Sequence, residues 1–154
     1  MLDEAAVLAC MTYVDLNPIR AKMAFTPEQS QFTSIQRRIK AAFQGKQPER
    51  LLPFVGNERD KLPKGLSFAA KDYLSLVDDT GRLLRNDKRG AIQPGSANIL
   101  TRLNIPLENW LKITHKFKDL FTGPVGTLDD LTRYCTHLNM QRIAHARSCQ
   151  HWSG

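Results

Sequence analysis

Tyr13 and Asn17 stand four residues apart in the string Tyr13-Val-Asp-Leu-Asn17-Pro-Ile-Arg20-Ala. On a helix that spacing puts a phenol and a carboxamide on one face. Beside a carboxamide one turn on, such a phenol could serve phosphoryl transfer, the phenolate attacking while a metal neutralises the phosphate. The alternative is a buried tyrosine whose hydroxyl is hydrogen-bonded, and spacing alone favours that alternative. The other chemistry-bearing residues form no such set. His115, His137, His145 and His151 lack zinc spacing, and no Ser-His-Asp or Cys-His arrangement stands out. The pairs Asp78-Asp79 and Asp129-Asp130 are sequence neighbours, which do not face one another on a helix.

These residues must be positioned by helices. Asp3 is a good N-cap for a first helix, with Glu4 at its positive end and Leu2 placed to staple on Val7. Val7, Met11 and Val14 form its apolar stripe, with Leu8 beside them. Ala6, Ala9, Cys10, Tyr13 and Asn17 make a smaller face that permits close approach. Pro18 should end or kink this helix. Thr33 caps a second helix, with Gln36 completing a capping-box pattern and Ile35, Ile39 and Phe43 inward. Gly45 ends it. Residues 45–66 read as a long loop with an extended piece at Leu51–Val55.

Ser67 opens a third helix striped by Phe68, Tyr73, Leu76, Val77, Thr80 and Leu84, with Gly81 marking close packing. Ser96 caps a short helix to Leu103, and Pro106 begins another with Leu107, Trp110, Leu111, Phe117 and Phe121 as core candidates. Thr127 caps a last helix with Leu128, Leu131, Tyr134 and Leu138 inward, continuing towards Cys149. Almost no period-two alternation occurs. The fold class expected is mainly α, a multi-helix orthogonal or irregular bundle.

The chain has 154 residues, 42% hydrophobic and 24% charged, which suits one globular domain or a domain with an extension. No run approaches a membrane span, and the acidic start is not a targeting peptide. Three widely separated cysteines form no metal or disulfide framework, so a reducing cytoplasm is expected. The net charge of +7 is uneven: −2 over residues 1–30, +6 over 31–90 and +3 over 91–154. A basic body suggests a polyanionic partner, nucleic acid first, against the plainer reading of a solvated basic surface. Arg20, Arg37, Arg38, Lys40, Arg82, Arg85, Lys88 and Arg89 are the candidate DNA contacts. Residues 96–121, with Arg102, Lys112, Lys116 and Lys118, also fit a helix-turn-helix, as they fit any helical hairpin.

Leu2-Asp-Glu-Ala-Ala and Ala9-Cys-Met-Thr-Tyr-Val-Asp-Leu-Asn-Pro-Ile-Arg-Ala-Lys-Met resemble the tyrosine helix of single-tyrosine HUH transposases. The nearest group is the one associated with repetitive extragenic palindromes. Leu51-Leu-Pro-Phe-Val-Gly, Leu62-Pro-Lys-Gly-Leu, Tyr73-Leu-Ser-Leu-Val-Asp-Asp-Thr-Gly-Arg and Asp87-Lys-Arg-Gly-Ala-Ile resemble the C-terminal extension of its longer members. The resemblance implies that Tyr13 attacks single-stranded DNA, forming a 5′-phosphotyrosine and leaving a 3′-hydroxyl, and that Asn17 neighbours the metal. It implies Mg²⁺ or Mn²⁺ held by a His-hydrophobic-His motif upstream, and hairpin DNA as partner.

That motif is absent from this chain. The expectation is therefore residues 1–30 as a remnant of the catalytic domain without its sheet, 31–154 as helical extension, and no metal-dependent cleavage by the chain alone. Val7, Met11 and Val14 should then pack on later helices or on a second copy, making a homodimer one expected state. The alternative reading is a non-catalytic helical module that binds DNA or another partner.

Overall fold

The computed structural model describes residues 4–56, 65–85, 100–101, 104–120 and 128–138. These residues are mainly helical and include no strand, so the all-α expectation holds. Among the described residues the named helices are α1 (Glu4–Asp15), α2 (Asn17–Arg20), α3 (Ser34–Ala42), α4 (Ala70–Leu83), α5 (Leu107–Leu120) and α6 (Leu128–His137). A 3-10 turn, Pro27–Gln29, precedes α3. The chain divides into two compact units, one of Met1–Val14 with Leu100–Gly154 and the other of Asp15–Ile99.

In the first unit, α1 buries Ala5, Ala6, Leu8, Ala9 and Thr12. This is not the stripe expected from the sequence. Val7 and Met11 are only half-buried and Val14 is 50% exposed. The reason is that α1 is apolar all round, so its periodicity carries no phase. The face that is buried runs through Ala5, Leu8, Ala9 and Thr12, between the expected stripe and the smaller face, of which Ala6 and Ala9 are buried, Cys10 and Tyr13 half-buried and Asn17 exposed. On α5, Trp110, Ile113, Thr114 and Phe117 are buried, whereas Leu107 is exposed. Lys116 departs from helical geometry (φ −116°, ψ 25°), which kinks α5 one residue before Phe117. On α6 the inward residues are Leu131 and Cys135; Tyr134 is half-buried and Leu138 exposed. The expected helix at 96–103 lies largely outside the described residues, as do Leu2, Phe121 and the tail beyond Leu138.

The second unit begins where α1 ends. Leu16 (φ −92°, ψ −2°) separates α1 from α2, and Pro18 sits in the first turn of α2, where its missing N–H costs nothing. The break expected at Asn17-Pro18 therefore falls one residue earlier. Thr33 caps α3 as expected, its hydroxyl accepting from Gln36 N at 3.3 Å. The capping box is only half made, because the Gln36 side chain donates to the Glu28 carbonyl instead, at 2.9 Å. Ile35, Arg38 and Ala41 face inward on α3, while Phe43 is 87% exposed, so that helix is rotated from the expected phase. Gly45 (φ +67°) supplies the left-handed residue that ends it.

Of the extended piece expected at Leu51–Val55, the structure has a single parallel bridge, from Phe54 to Leu66. Val55 N donates to Leu66 O at 2.9 Å and Leu66 N to Pro53 O at 2.7 Å. A Cβ at Gly65 would meet Pro53 O at 2.8 Å, so this approach requires glycine. Helix α4 starts at Ala70, three residues later than Ser67 suggested, and has no side-chain cap. Tyr73, Leu76, Val77 and Thr80 are its buried stripe, as expected. Gly81 does mark close packing: a Cβ there would stand 3.0 Å from Leu16 Cδ2.

Candidate functional site

Tyr13 lies in the last turn of α1, half-buried, in the first unit. Its ring packs on Phe117 with centroids 5.4 Å apart and planes tilted by 34°. The aromatic contact orients the phenol without enclosing it. Asn17 opens α2 and is exposed, and its Oδ1 accepts from Arg20 Nη2 across one helical turn. The single helix expected to carry both Tyr13 and Asn17 is thus interrupted at Leu16.

The divalent cation implied by the resemblance does not fit this donor set. Such a cation takes about six oxygen ligands with carboxylates among them. Asn17 offers one carboxamide oxygen, which faces a guanidinium. Among the described residues no group of three or more His, Cys, Asp or Glu could hold a metal.

The candidate DNA contacts scatter. Arg37 and Lys40 are exposed on α3. Arg38 is not: it is 6% exposed, its guanidinium lies 4.4 Å over the Phe54 ring, and its Nη2 donates to Leu52 O at 3.1 Å. As a surface contact for DNA, Arg38 is therefore corrected to a buried residue that ties α3 to the 51–55 segment. Arg82 is exposed and paired with Asp78 at 2.8 Å. Arg85 Nη1 donates to the Phe25 carbonyl at 2.6 Å and sits 5.5 Å from that ring. Lys88 and Arg89 lie outside the described residues.

The residue that sequence reasoning missed is Asp15. It ends α1, is 1% exposed, and accepts three hydrogen bonds. Ser34 Oγ donates to Oδ1, Ile35 N donates to Oδ1 at 3.2 Å, and the Tyr73 hydroxyl donates to Oδ2 at 2.7 Å. The first two donors open α3, so the carboxylate sits at the positive end of that helix. Asp15 thus fastens α3 and α4 at the residue where α1 ends. A signal existed: Leu8, Thr12, Asp15 and Ile19 recur at helical spacing, which puts this acid in line with apolar residues.

Burial pushes the Asp15 carboxyl above its ordinary value, more than the hydrogen bonds from Ser34, Tyr73 and Ile35 and the charge of Arg38 pull it down. Burial likewise lowers Arg38, with Tyr73 and Asp15 opposing it. The consequence for stability follows from linkage. A carboxyl with a raised folded value binds its proton more tightly folded than unfolded, so stability falls as pH rises through the folded value. Its contribution is fully present below the unfolded value of about 3.9. Relative to Asp15→Asn, which has no such titration, the chain should gain stability on acidification through that window. Urea unfolding of both proteins across the acid range checks this, and a gap that narrows on acidification would contradict it.

No protein-family profile, curated protein or solved structure matches this chain. No helix among the described residues is long and apolar enough to cross a membrane.

Proposed function

We propose that this chain is the tyrosine-helix and C-terminal part of a single-tyrosine DNA transposase, with Tyr13 as nucleophile towards single-stranded DNA. Beside the resemblance, the observation that carries the reading is the outward face of α1. Val7, Cys10 and Met11 are half-buried and Val14 exposed, at i, i+3, i+4 and i+7. A helix apolar on both faces is normally covered on both. A sheet carrying the metal-binding histidines, supplied from upstream, would cover the second face and bring the missing ligands to Tyr13. This chain would contribute the phenol, its packing on Phe117, and the framework fixed by Asp15.

Translating the DNA upstream of Met1 tests the origin: an in-frame His-hydrophobic-His motif is expected, and its absence in every frame would end the transposase reading. The direct assay is a covalent adduct on labelled single-stranded DNA, formed by the chain joined to that upstream segment.

A second reading, a helical module that holds DNA without chemistry, is favoured by one observation. Phe32 is 90% exposed and held in the left-handed region (φ +62°), ahead of the exposed cations Arg37 and Lys40. An outward ring in a segment that goes on to exposed cations suits base stacking on a single strand. Phe32→Ala is expected to weaken binding to labelled oligothymidylate about tenfold. Replacing Arg37 and Lys40 together by alanine should reduce the salt slope by about 1.4 if each meets one phosphate. Salt-insensitive binding, or none, would refute this reading.

A further inference from the structure

The second unit carries an open groove of about 330 Å³ between α3, α4 and the 3-10 turn. Its apolar wall is made by Pro27, Ile39, Ala42, Phe43 and Leu74. Phe43, at the end of α3, leaves most of its ring in solvent. The charged residues lining the groove are both carboxylates, Glu28 and Asp78. On a chain of net charge +7 this is a local reversal of sign. Asp78 through its hydrogen bond and charge, then Asp79 and Glu28, hold the Arg82 guanidinium above its ordinary value, as expected beside an acidic rim.

We propose that this groove docks a basic amphipathic helix of a partner protein, whose apolar side chains seat against Ile39, Ala42, Phe43 and Leu74 while its lysines or arginines face Glu28 and Asp78. Three features select that occupant. The volume takes one or two large apolar side chains, as in helix-in-groove recognition. The flanking elements are helices and a 3-10 turn, so they offer no sheet edge to which an extended strand could add. The carboxylates disfavour a polyanion and complement a cation. The Asp78–Arg82 pair is exposed on both sides, so it holds Asp78 weakly and a partner cation can share it.

The test uses fluorescence polarisation of the full chain with two labelled peptides. One carries leucines at helical spacing with lysines elsewhere; the other carries glutamates in place of the lysines. The lysine peptide is expected to bind at least about tenfold more tightly. Phe43→Ala should weaken it about tenfold, and Glu28→Gln with Asp78→Asn together roughly three- to tenfold. Phe43 and Glu28 are exposed and Asp78 is only half-buried, so circular dichroism should show unchanged helix content. Ala42→Trp, which fills the groove from an exposed position, should block binding as an independent variant.

Equal binding of the two peptides, no binding of either, or indifference to Phe43→Ala and Ala42→Trp would each overturn the proposal. So would a dimer in sedimentation that Ala42→Trp dissolves, which would give the groove to a second copy. Oligothymidylate binding that strengthens on Glu28→Gln with Asp78→Asn and falls on Phe43→Ala would give it to nucleic acid instead.

Discussion

Asp15→Ala is expected to cost roughly 3–5 kcal/mol of unfolding free energy at neutral pH. The substitution removes one acceptor that serves three donors: Ser34 Oγ, Ile35 N and the Tyr73 hydroxyl. Ile35 and Tyr73 are fully buried, so little water can replace what they lose. Each stranded donor costs about 1–3 kcal/mol. Arg38, also buried, loses the nearby opposite charge. The loss approaches the whole stability of a small domain, about 5–15 kcal/mol. Tyr73→Phe removes one donor and keeps the ring against Phe54, whose centroid is 5.1 Å away, so it should cost only about 1 kcal/mol. The two substitutions should be non-additive by more than about 0.5 kcal/mol, because they share a bond. Urea unfolding of the single and double variants checks this. A cost below about 1 kcal/mol for Asp15→Ala would mean that the hub does not fasten α3 and α4.

Tyr13→Phe should have the larger effect on chemistry and almost none on folding. In the complete protein proposed above, loss of the phenolic oxygen is expected to lower formation of the covalent DNA adduct by at least about a thousandfold. The ring that meets Phe117 at 5.4 Å remains, so unfolding free energy should change by no more than about 1 kcal/mol. That separation makes the variant informative, since lost activity cannot be blamed on a lost fold. An adduct that persists in Tyr13→Phe would place the nucleophile elsewhere. A Tyr13-dependent adduct from this chain without any upstream segment would refute the expected need for upstream histidines.

Local physics was legible in the amino-acid order. The Thr33 cap, the α4 stripe through Tyr73, Leu76, Val77 and Thr80, and the close approach at Gly81 depend on neighbours within a few turns or on side-chain size. The helical class followed from the same periodicity. Tyr13 and Asn17 were legible as candidates because their spacing and flanking residues form a motif.

Tertiary structure decided what periodicity could not encode. Helix α1 is apolar all round, so sequence carried no phase for it, and packing buried the side of Ala5, Leu8, Ala9 and Thr12 rather than the Val7–Val14 stripe. Arg38 reads as a surface cation until Phe54 and the Leu52 carbonyl, 14 residues on, supply a ring and an acceptor. Asp15 acquires its role only when Ser34 and Tyr73, 19 and 58 residues away, converge on its carboxylate. Spacing along a helix announces which residues share a face, but only contact with distant chain determines what that face meets.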